Sequence, residues 1–593
     1  MLARFAFTVA VVAVAASASF AQVAPPLPLD LQYVPLSHDG SYLTLAHLTA
    51  TDTRSEGLYL RSVRGATDHQ SMLLFETLRN GAVVRTREHA TALGVRLQAE
   101  GGAVELAFDG PGSVRVRSSG GLSVRVKVVY LRDADDAWRA AADRVVLNVA
   151  SNKLKLMLQT MQGQMEVVRG QAPKSLGFIV TPGADDVAEV AIDEFHSTWR
   201  APAARPSFER LGPAIADKLS AWRRQLPRAP IDLEAGARMA SFILWSNRVG
   251  PRLLLSRKAI FSTKNTLIGD WGWDHAFHAL ALAAEAPDAA WDELMVVLEA
   301  QDEYGAIPDR LNDTVRTFDF TKPPVQGWAL RRMMKDNPQA FIKPARTKEV
   351  YVRLVQQAQW WLSRDDDHDG LPQYEHGNDS GWDNASPFVL GVPLESPDLA
   401  SYLAVKMDVL ADLAGRLGKQ AEAREWKQRS TALIEKMLSA FWRADRFVAT
   451  LSGTDRFIAS DSLLLWVPLI LGNRLPAAVR SSLLNTITKF VTAQGLATEW
   501  PQSPLYEPDG YWRGPVWGPS TLLIVDGLLA SGARDLALQV ARAYCRTLQS
   551  TSMPENYDAL TGQPRKDTAF SWTAAAYLVL AGELATGPQD VRR

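Results

Sequence analysis

The hydrophobic periodicity of this chain changes once, near residue 215, and divides the chain into two unlike halves. Before that point, short segments alternate apolar and polar residues, at 59–63, 82–86, 94–98, 103–107 and 122–128. Alternation with period two predicts half-buried strands, and the Gly pairs and Asp-Gly steps between the segments predict turns. Short strands at this spacing favour an antiparallel β-sandwich, with one helical interruption expected at 135–147.

The second half has helical period and predicts a mostly α catalytic domain. Twelve segments fit, at 234–248, 274–286, 288–303, 325–335, 347–363, 397–417, 419–442, 460–471, 476–492, 517–531, 533–549 and 569–586. Twelve helices in antiparallel pairs are what an (α/α)6 toroid requires. The longer non-helical stretches, 365–395, 495–516 and 551–568, would then form a pocket at one rim, because loops on a packed scaffold commonly carry the chemistry.

Chain length, an N-terminal apolar run and a Pro-rich passage predict the domain boundaries. A chain of 593 residues is long enough for at least two domains. Residues 1–21 resemble a secretory signal peptide, with an apolar run and small residues before the cut, although a membrane anchor is the alternative. We therefore expect a protein that is exported, periplasmic or secreted, with no membrane span after cleavage. The β-sandwich domain is predicted at 22–210 and the (α/α)6 catalytic domain at 211–593. A Pro-rich passage, with Pro202, Pro206 and Pro213, is interpreted as the linker between them.

Composition and motif absences exclude several classes of function. The net charge is −1, and nucleic-acid binders usually carry a strong basic patch, so no nucleic-acid partner is expected. The nine histidines show no HExxH spacing, and no P-loop or dinucleotide-binding fingerprint is present. No cofactor is therefore expected for catalysis. The single cysteine, Cys545, allows no intrachain disulfide and is expected to be a buried core residue. The sequence gives no indication of oligomeric state.

Two loop carboxylates are the leading catalytic candidates. Asp383 lies in the segment 377–387 and Glu555 in the segment 554–562, each among Trp, Tyr, Asn and Gly residues that often line sugar pockets. A glycosidic bond is usually cleaved by two facing carboxyl groups, one acting as an acid and the other as a base or nucleophile. Taken singly, however, Asp383 could cap a turn and Glu555 could be a solvated loop residue.

The segment 270–275 combines large aromatic rings with a carboxylate. Trp271 and Trp273 could stack on sugar rings, and Asp274 could bind two hydroxyl groups. The alternative is an aromatic pair in the core at a helix start, with Asp274 as the N-cap.

Two further blocks supply polar and aromatic candidates for substrate binding. In the segment 511–517, Arg513 could pair with a catalytic carboxylate or bind an acidic aglycone, or it could be a solvated residue on a packed aromatic turn. In the segment 321–328, Gln326 and Trp328 could reach a ligand, although a Pro-stiffened helix entry explains the same residues.

Alternating acidic residues at Asp365, Asp367 and Asp369, followed by Gly370, match the first half of a calcium loop. The twelfth position is His376 rather than Glu, so the full loop is absent. A structural calcium ion and a solvated acidic turn both remain open interpretations.

The order of these blocks resembles glycoside hydrolase family 63, which includes processing α-glucosidases and bacterial α-glucosidase and mannosylglycerate hydrolase relatives. The resemblance rests on WGWDHAF, KPPVQGW, DHDGLPQYEHGNDSGWDNASP, GYWRGPVW, ENYDALTG and FSW in that order, and it covers about residues 235 to 585. One departure is Ala559, which stands where the family often has proline.

The resemblance implies an inverting, exo-acting α-glycosidase with a carbohydrate substrate, most simply an α-glucosidase. It implies that Asp383 is the general acid and Glu555 the general base. It also implies a set of substrate-binding residues: Trp271, Trp273, Asp274, Gln326, Trp328, Trp382, Tyr511, Trp512, Arg513 and Trp517. The alternatives are a trehalase-like enzyme or a glucosyl- or mannosylglycerate hydrolase on the same fold, and a non-catalytic carbohydrate-binding protein.

Overall fold

In the computed structural model, residues 25–66, 71–150, 153–171, 174–454 and 456–586 are described, so the predicted signal peptide at 1–21 lies outside them. The N-terminal part is a multi-sheet antiparallel β domain, as the alternating pattern predicts. Along Ser113–Ser118, for example, Val114 and Val116 are buried, and Val116 pairs with Val190 and Leu106 on the neighbouring strands.

Two large sheets make up this domain within the described residues. The first has nine strands, in the spatial order Pro28–Leu29, Arg87–Thr91, Gly94–Ala99, Gly102–Phe108, Ser113–Ser118, Ala188–Phe195, Leu154–Gln162, Arg144–Val149 and Asp136–Ala141. The second has eight, in the order Gln164–Gln171, Lys174–Thr181, Ser123–Val128, Ser71–Arg79, Gly57–Ser62, Leu43–Leu48 and Leu36–Ser37, with Ala82–Val83 paired to Ser71–Arg79.

The helix predicted at 135–147 is wrong, because this segment forms a β-hairpin. Its strands Asp136–Ala141 and Arg144–Val149 pair with each other, and the second pairs with Leu154–Gln162. Leu147 is buried between Ala137 and Leu156, its partners on the two flanking strands. Pairing on both sides and burial of the Val-Val-Leu run outweigh the helical spacing of the local sequence.

The Pro-rich passage is bound to the β domain by buried charges. Arg205 donates to Asp109 at 3.0 Å and also pairs with Asp193, and all three side chains are largely buried. Trp199 donates its indole N–H to the same Asp193 carboxylate at 3.0 Å. The passage is therefore anchored rather than free before the first helix begins.

The C-terminal part is mostly helical, and each of the twelve predicted segments contains a helix. The α-helices are Leu211–Arg223, Glu234–Asn247, Asp274–Leu282, Pro287–Glu299, Gln326–Asp336, Pro338–Phe341, Pro344–Leu362, Ser386–Val389, Pro397–Arg416, Gln420–Phe441, Ala477–Thr486, Gly518–Ala530, Arg534–Leu548 and Ser571–Ala585. Leu463–Arg474 is a 3-10 helical segment that contains Pro468 and is interrupted at Gly472. Several helices begin with proline, whose fixed φ suits the first helical turn.

Six of these segments contact one another in a closed cycle. The order is Asp274–Leu282, Gln326–Asp336, Pro397–Arg416, Leu463–Arg474, Gly518–Ala530, Ser571–Ala585 and back to the first. All nine residues of Asp274–Leu282 are buried, which is expected of a helix enclosed by other helices. Among the described residues, no helix is both long and apolar enough to cross a membrane.

The Arg205 network yields a stability prediction. Replacing Arg205 with Met removes the cation that faces two largely buried carboxylates, and breaking a buried ion pair typically costs about 3 kcal/mol or more. We expect Arg205→Met to lower the free energy of unfolding by about 3 kcal/mol in urea denaturation followed by circular dichroism. The matched control is Arg96→Met, whose pair with Glu105 is exposed and should cost less than about 1 kcal/mol. Equal losses in the two variants would contradict the structural role of this network.

Candidate active site

A cavity of about 230 Å³ lies where the loops between the helices of the closed cycle converge. Both predicted catalytic carboxylates line it, together with three of the predicted substrate-binding tryptophans, Asp274 and Tyr511. Its lining residues are Leu267, Trp271, Trp273, Asp274, Asp309, Phe320, Lys322, Asn378, Gly381, Asp383, Tyr511, Trp512, Glu555, Phe570 and Trp572.

Asp383 is held on a compact turn that only small residues permit. Gly381 has φ 73°, and a Cβ there would lie 2.7 Å from the ring of Trp273. A Cβ on Gly377 would collide with the carbonyl oxygen of Asp383. The next residue, Asn384, accepts from the backbone N–H of Trp512 at 2.9 Å and donates to the carbonyl of Gly510 at 3.0 Å. The glycines and Asn384 therefore fix the Asp383 loop against the 510–512 loop.

Glu555 immediately precedes a short strand, and contacts on both carboxylate oxygens hold its side chain. The strand Asn556–Tyr557 lies between Val516–Trp517 and Pro564–Arg565. The Tyr511 hydroxyl donates to Oε1 at 2.9 Å, and the backbone N–H of Asp567 approaches Oε2 at 3.4 Å. Tyr511 itself has φ 62°, a left-handed conformation that is strained for a bulky residue and is often found at functional sites.

Burial raises the pKa of each catalytic candidate. The pKa of Asp383 rises to about 6; the Lys322 ammonium opposes the shift and the Asp309 charge adds to it. The pKa of Glu555 rises to about 7; the Tyr511 hydrogen bond opposes the shift, and the charges of Asp567 and Asp383 add to it. Between these values the pair holds one proton on average. Because the higher pKa belongs to Glu555, the form that the predicted roles require, with Asp383 protonated and Glu555 ionised, is the minor one of the two singly protonated forms.

The Trp271–Asp274 segment forms another part of the cavity wall. The strand Asp270–Trp271 pairs with Arg310–Leu311, and the helix Asp274–Leu282 begins directly after Trp273. Ser262 donates to Oδ2 of Asp274, whereas Oδ1 is buried without a protein partner. Burial raises the pKa of Asp274 to about 8. An unpartnered carboxyl oxygen on a cavity wall is suited to a substrate hydroxyl, because a buried polar atom needs a partner.

An aromatic stack supports this wall from behind. Trp512 lies parallel to Trp517, with ring centroids 4.0 Å apart, and it packs on Trp382 at 4.9 Å. Trp512 faces the cavity, but Trp382 and Trp517 are fully buried behind it and do not line it. These two rings therefore shape the cavity through Trp512 rather than by touching its contents.

Three predicted binding residues lie away from the cavity. Gln326 is fully buried and donates to the carbonyl of Gly272 at 2.8 Å, so it supports the Trp271–Asp274 segment from behind. Trp328 is also fully buried, and its indole N–H donates to Asp526 at 2.6 Å. Arg513 pairs with Glu507 on its own loop at 2.9 Å, which draws the guanidinium away from the carboxylates.

The cavity includes residues that we did not single out from the sequence. Lys322 is the single cation among the described residues that line it, with Nζ 2.8 Å from Asp309 Oδ1 and 2.8 Å from the carbonyl of Asn378. Lys322 belongs to the KPPVQGW block and Trp572 to the FSW block, so these motifs could have identified both residues. Asp309 carries no local motif; it reaches the site because the backbone N–H of Gly272 donates to its carbonyl at 2.9 Å.

The acidic cluster lies apart from this cavity. Oxygens of Asp365, Asp367 and Asp369 lie within 4.8 Å of one another. Each carboxylate also accepts a backbone N–H, from Gly370, Gly453 or Leu371. The oxygens fit a hard cation in type, and the same hydrogen bonds also suit an acidic turn, so calcium binding stays a prediction.

The helical part that carries this site is similar to known glycoside hydrolases. The family model for the mannosylglycerate hydrolase MGH1-like glycoside hydrolase domain matches residues 268–573, just over half of the chain. Mannosylglycerate hydrolase MGH1 of Selaginella moellendorffii is 23% identical over 52% of this chain and 79% of its own length. The mannosylglycerate hydrolase of Rubrobacter radiotolerans is 25% identical over 58% of this chain and 96% of its own length.

A solved structure shares the fold of the helical part. It is the GH63 mannosylglycerate hydrolase from Thermus thermophilus in complex with Tris and D-glycerate, with TM-score 0.51 and 21% identity. The match covers 99% of that chain and 58% of this one. Taken with the family match over residues 268–573, the chain belongs to the MGH1-like glycoside hydrolases of glycoside hydrolase family 63.

Proposed function

We propose that this protein is an inverting, exo-acting α-glycosidase in which Asp383 is the general acid and Glu555 the general base. The observation that carries the proposal is the placement of two buried carboxyl groups, from loops 172 positions apart in sequence, on the walls of one small cavity. Asp274, whose Oδ1 has no protein partner, and the rings of Trp271 and Trp512 supply groups that bind a sugar.

In this mechanism Asp383 donates its proton to the glycosidic oxygen as the bond from that oxygen to the anomeric carbon breaks. Glu555 removes a proton from a water molecule, whose oxygen attacks the anomeric carbon from the opposite face. The products are a free sugar of inverted configuration and the alcohol of the aglycone. The Tyr511 hydroxyl donates a hydrogen bond to one oxygen of Glu555 and so fixes the orientation of the carboxylate toward the water.

The size of the cavity favours removal of one sugar at a time. Its 230 Å³ is below the roughly 300–1,000 Å³ of typical ligand pockets, which suits a single ring rather than an oligosaccharide. We infer that an α-glucoside is the substrate. The second candidate is an α-glycoside of glycerate, which the activities named for the relatives support. Lys322, rather than Arg513, would then face the glycerate carboxylate.

The scaffold that we infer is an (α/α)6 toroid preceded by a β-sandwich. The closed cycle of six segments supports an inner ring, with the remaining long helices as the outer ring. The two large antiparallel sheets support the sandwich.

Substrate screening combined with two substitutions tests the proposed activity. The panel contains α-linked glucose and mannose disaccharides, trehalose, glucosylglycerate and mannosylglycerate. On the best substrate, we expect Asp383→Asn and Glu555→Gln each to lower kcat by about 10²–10⁴-fold, the usual contribution of a positioned acid or base. The control is Glu507→Gln, an exposed carboxylate on a neighbouring loop, which should retain turnover. Unchanged turnover in Asp383→Asn or Glu555→Gln would remove that residue from the mechanism.

The shared proton predicts a narrow pH profile. Below a pH of about 6 both carboxyl groups are protonated and the base is lost; above about 7 both are ionised and the acid is lost. We expect kcat/KM to be bell-shaped between these limits. Lys322→Met removes a cation that favours ionised Asp383, so the pKa of Asp383, the lower of the two, rises and the acidic limb moves to higher pH. The exposed Lys427→Met is the control. A fixed or lowered acidic limb in Lys322→Met would contradict this account of the pair.

A further inference from the structure

We propose that the N-terminal β domain positions the catalytic base, through a hydrogen-bonded relay from Tyr33 and Arg61 to Asp567 and then Glu555. The relay crosses two segments of the helical part, 262–269 and 565–571. This inference rests on the proposed role of Glu555 and adds a function for the β domain that no similarity assigns, because the family match begins only at residue 268.

The relay starts with two contacts made by the β domain. The carbonyl of Tyr33 accepts from the Thr568 hydroxyl at 2.7 Å and from the Asn265 side-chain amide at 3.2 Å. Arg61 is buried and donates to the carbonyl of Asn265 at 2.6 Å. Residues of the β domain thus contact both segments of the helical part, 262–269 and 565–571, at neighbouring positions.

The two segments are also bonded to each other. The Asn265 amide donates to the carbonyl of Thr568 at 3.1 Å. Oδ2 of Asp567 accepts from the backbone N–H of Thr266 at 3.2 Å, from the Thr266 hydroxyl at 2.6 Å and from the backbone N–H of Leu267 at 3.3 Å. Three donors on one carboxylate oxygen fix Asp567 relative to the 262–269 segment.

Asp567 then contacts the base directly. Its carbonyl accepts from the backbone N–H of Glu555 at 2.8 Å, and its own N–H approaches Glu555 Oε2 at 3.4 Å. The backbone here needs support, because Met553, Lys566 and Ala569 all have positive φ, between 51° and 62°. Strained positions of this kind persist only where the surroundings over-determine them.

A second buried cation strengthens the junction. Lys264 is fully buried, and Nζ donates to the Ser37 hydroxyl at 3.0 Å and to the carbonyl of Ser41 at 2.6 Å. The segment that holds Asp567 is therefore tied to the β domain at Lys264 as well as at Asn265. About two fifths of this chain has no counterpart in the Thermus structure.

The test compares Arg61→Met and Thr568→Val with Arg115→Met in the full-length protein. Arg115 is also a buried arginine of the β domain, but its partners are Asp109, Glu189 and the carbonyl of Pro206, away from the relay. Met keeps the apolar stem and removes the donors. Thr568→Val removes the hydroxyl that contacts Tyr33 and keeps the backbone N–H that Asp567 accepts.

Amide hydrogen exchange needs no substrate and is the first readout. We expect Arg61→Met and Thr568→Val to speed exchange in peptides covering 262–269 and 553–571, because exchange reports local opening. Arg115→Met should leave those peptides at the rate of the unmodified protein. Equal exchange in relay and control variants would overturn the relay.

Kinetics then separates positioning from general support. We expect Arg61→Met to lower kcat about tenfold with little change in KM, since a misplacement of about 1 Å can cost about 100-fold. Its alkaline limb should move to higher pH, because loss of the cation near Asp567 raises the pKa of Glu555, the higher of the two. An unchanged kcat and alkaline limb despite faster exchange would overturn the positioning role. Glu555→Gln, measured alongside, separates the two ideas: full activity in that variant would defeat the proposed function itself.

Discussion

Removal of two carboxyl groups from water into one small cavity is the constraint on which the remainder of this site depends. Burial is the main reason why the pKa of Asp383 rises to about 6 and that of Glu555 to about 7. An unshielded pair of this kind would be costly, because burying a charge without partners is strongly unfavourable. Hydrogen bonds from the Tyr511 hydroxyl and from a backbone N–H stabilise the Glu555 carboxylate, and the Lys322 ammonium stabilises the ionised form of Asp383. The contacts on Glu555 also hold its carboxyl group in a fixed direction.

The scaffold explains why such a site can exist in loops. The two loops that carry the proposed acid and base are each held in place. Gly377 and Gly381 allow the Asp383 turn to pack against Trp273, and a three-stranded sheet holds the residues after Glu555. Six helical segments that contact one another in a closed cycle support these loops. On the Glu555 side, the β domain contacts the 262–269 segment and Thr568, so one of the contacts between the two halves of the chain lies close to the proposed base.

Periodicity and motif order were sufficient for much of this arrangement. Each of the twelve segments predicted from the helical period contains a helix, and the Asp383 and Glu555 blocks lie in the loops where they were expected. The helices Leu211–Arg223, Pro338–Phe341 and Ser386–Val389 were not predicted. What failed was local pattern without tertiary context. The segment 135–147 has helical spacing but becomes a hairpin, since pairing with Leu154–Gln162 buries Leu147.

Side-chain direction was the other property that the sequence could not supply. Gln326, Trp328 and Arg513 belong to sequence blocks that contribute to the site, but their side chains are bound away from the cavity. Their partners are Gly272, Asp526 and Glu507, respectively. Asp309 is the reverse case, since only the pairing of Asp270–Trp271 with Arg310–Leu311 brings it to the site. Motifs therefore located the site, and packing decided which of their residues face it.

The anomeric configuration of the first product tests the acid–base assignment most directly. Proton NMR spectra recorded in the first minutes of hydrolysis of an α-glycoside separate the two anomers before they equilibrate. If Glu555 directs water to the face opposite the leaving group that Asp383 protonates, the β-anomer of the free sugar accumulates first. Initial release of the α-anomer would mean retained configuration and would contradict the role of Glu555 as the base that activates water.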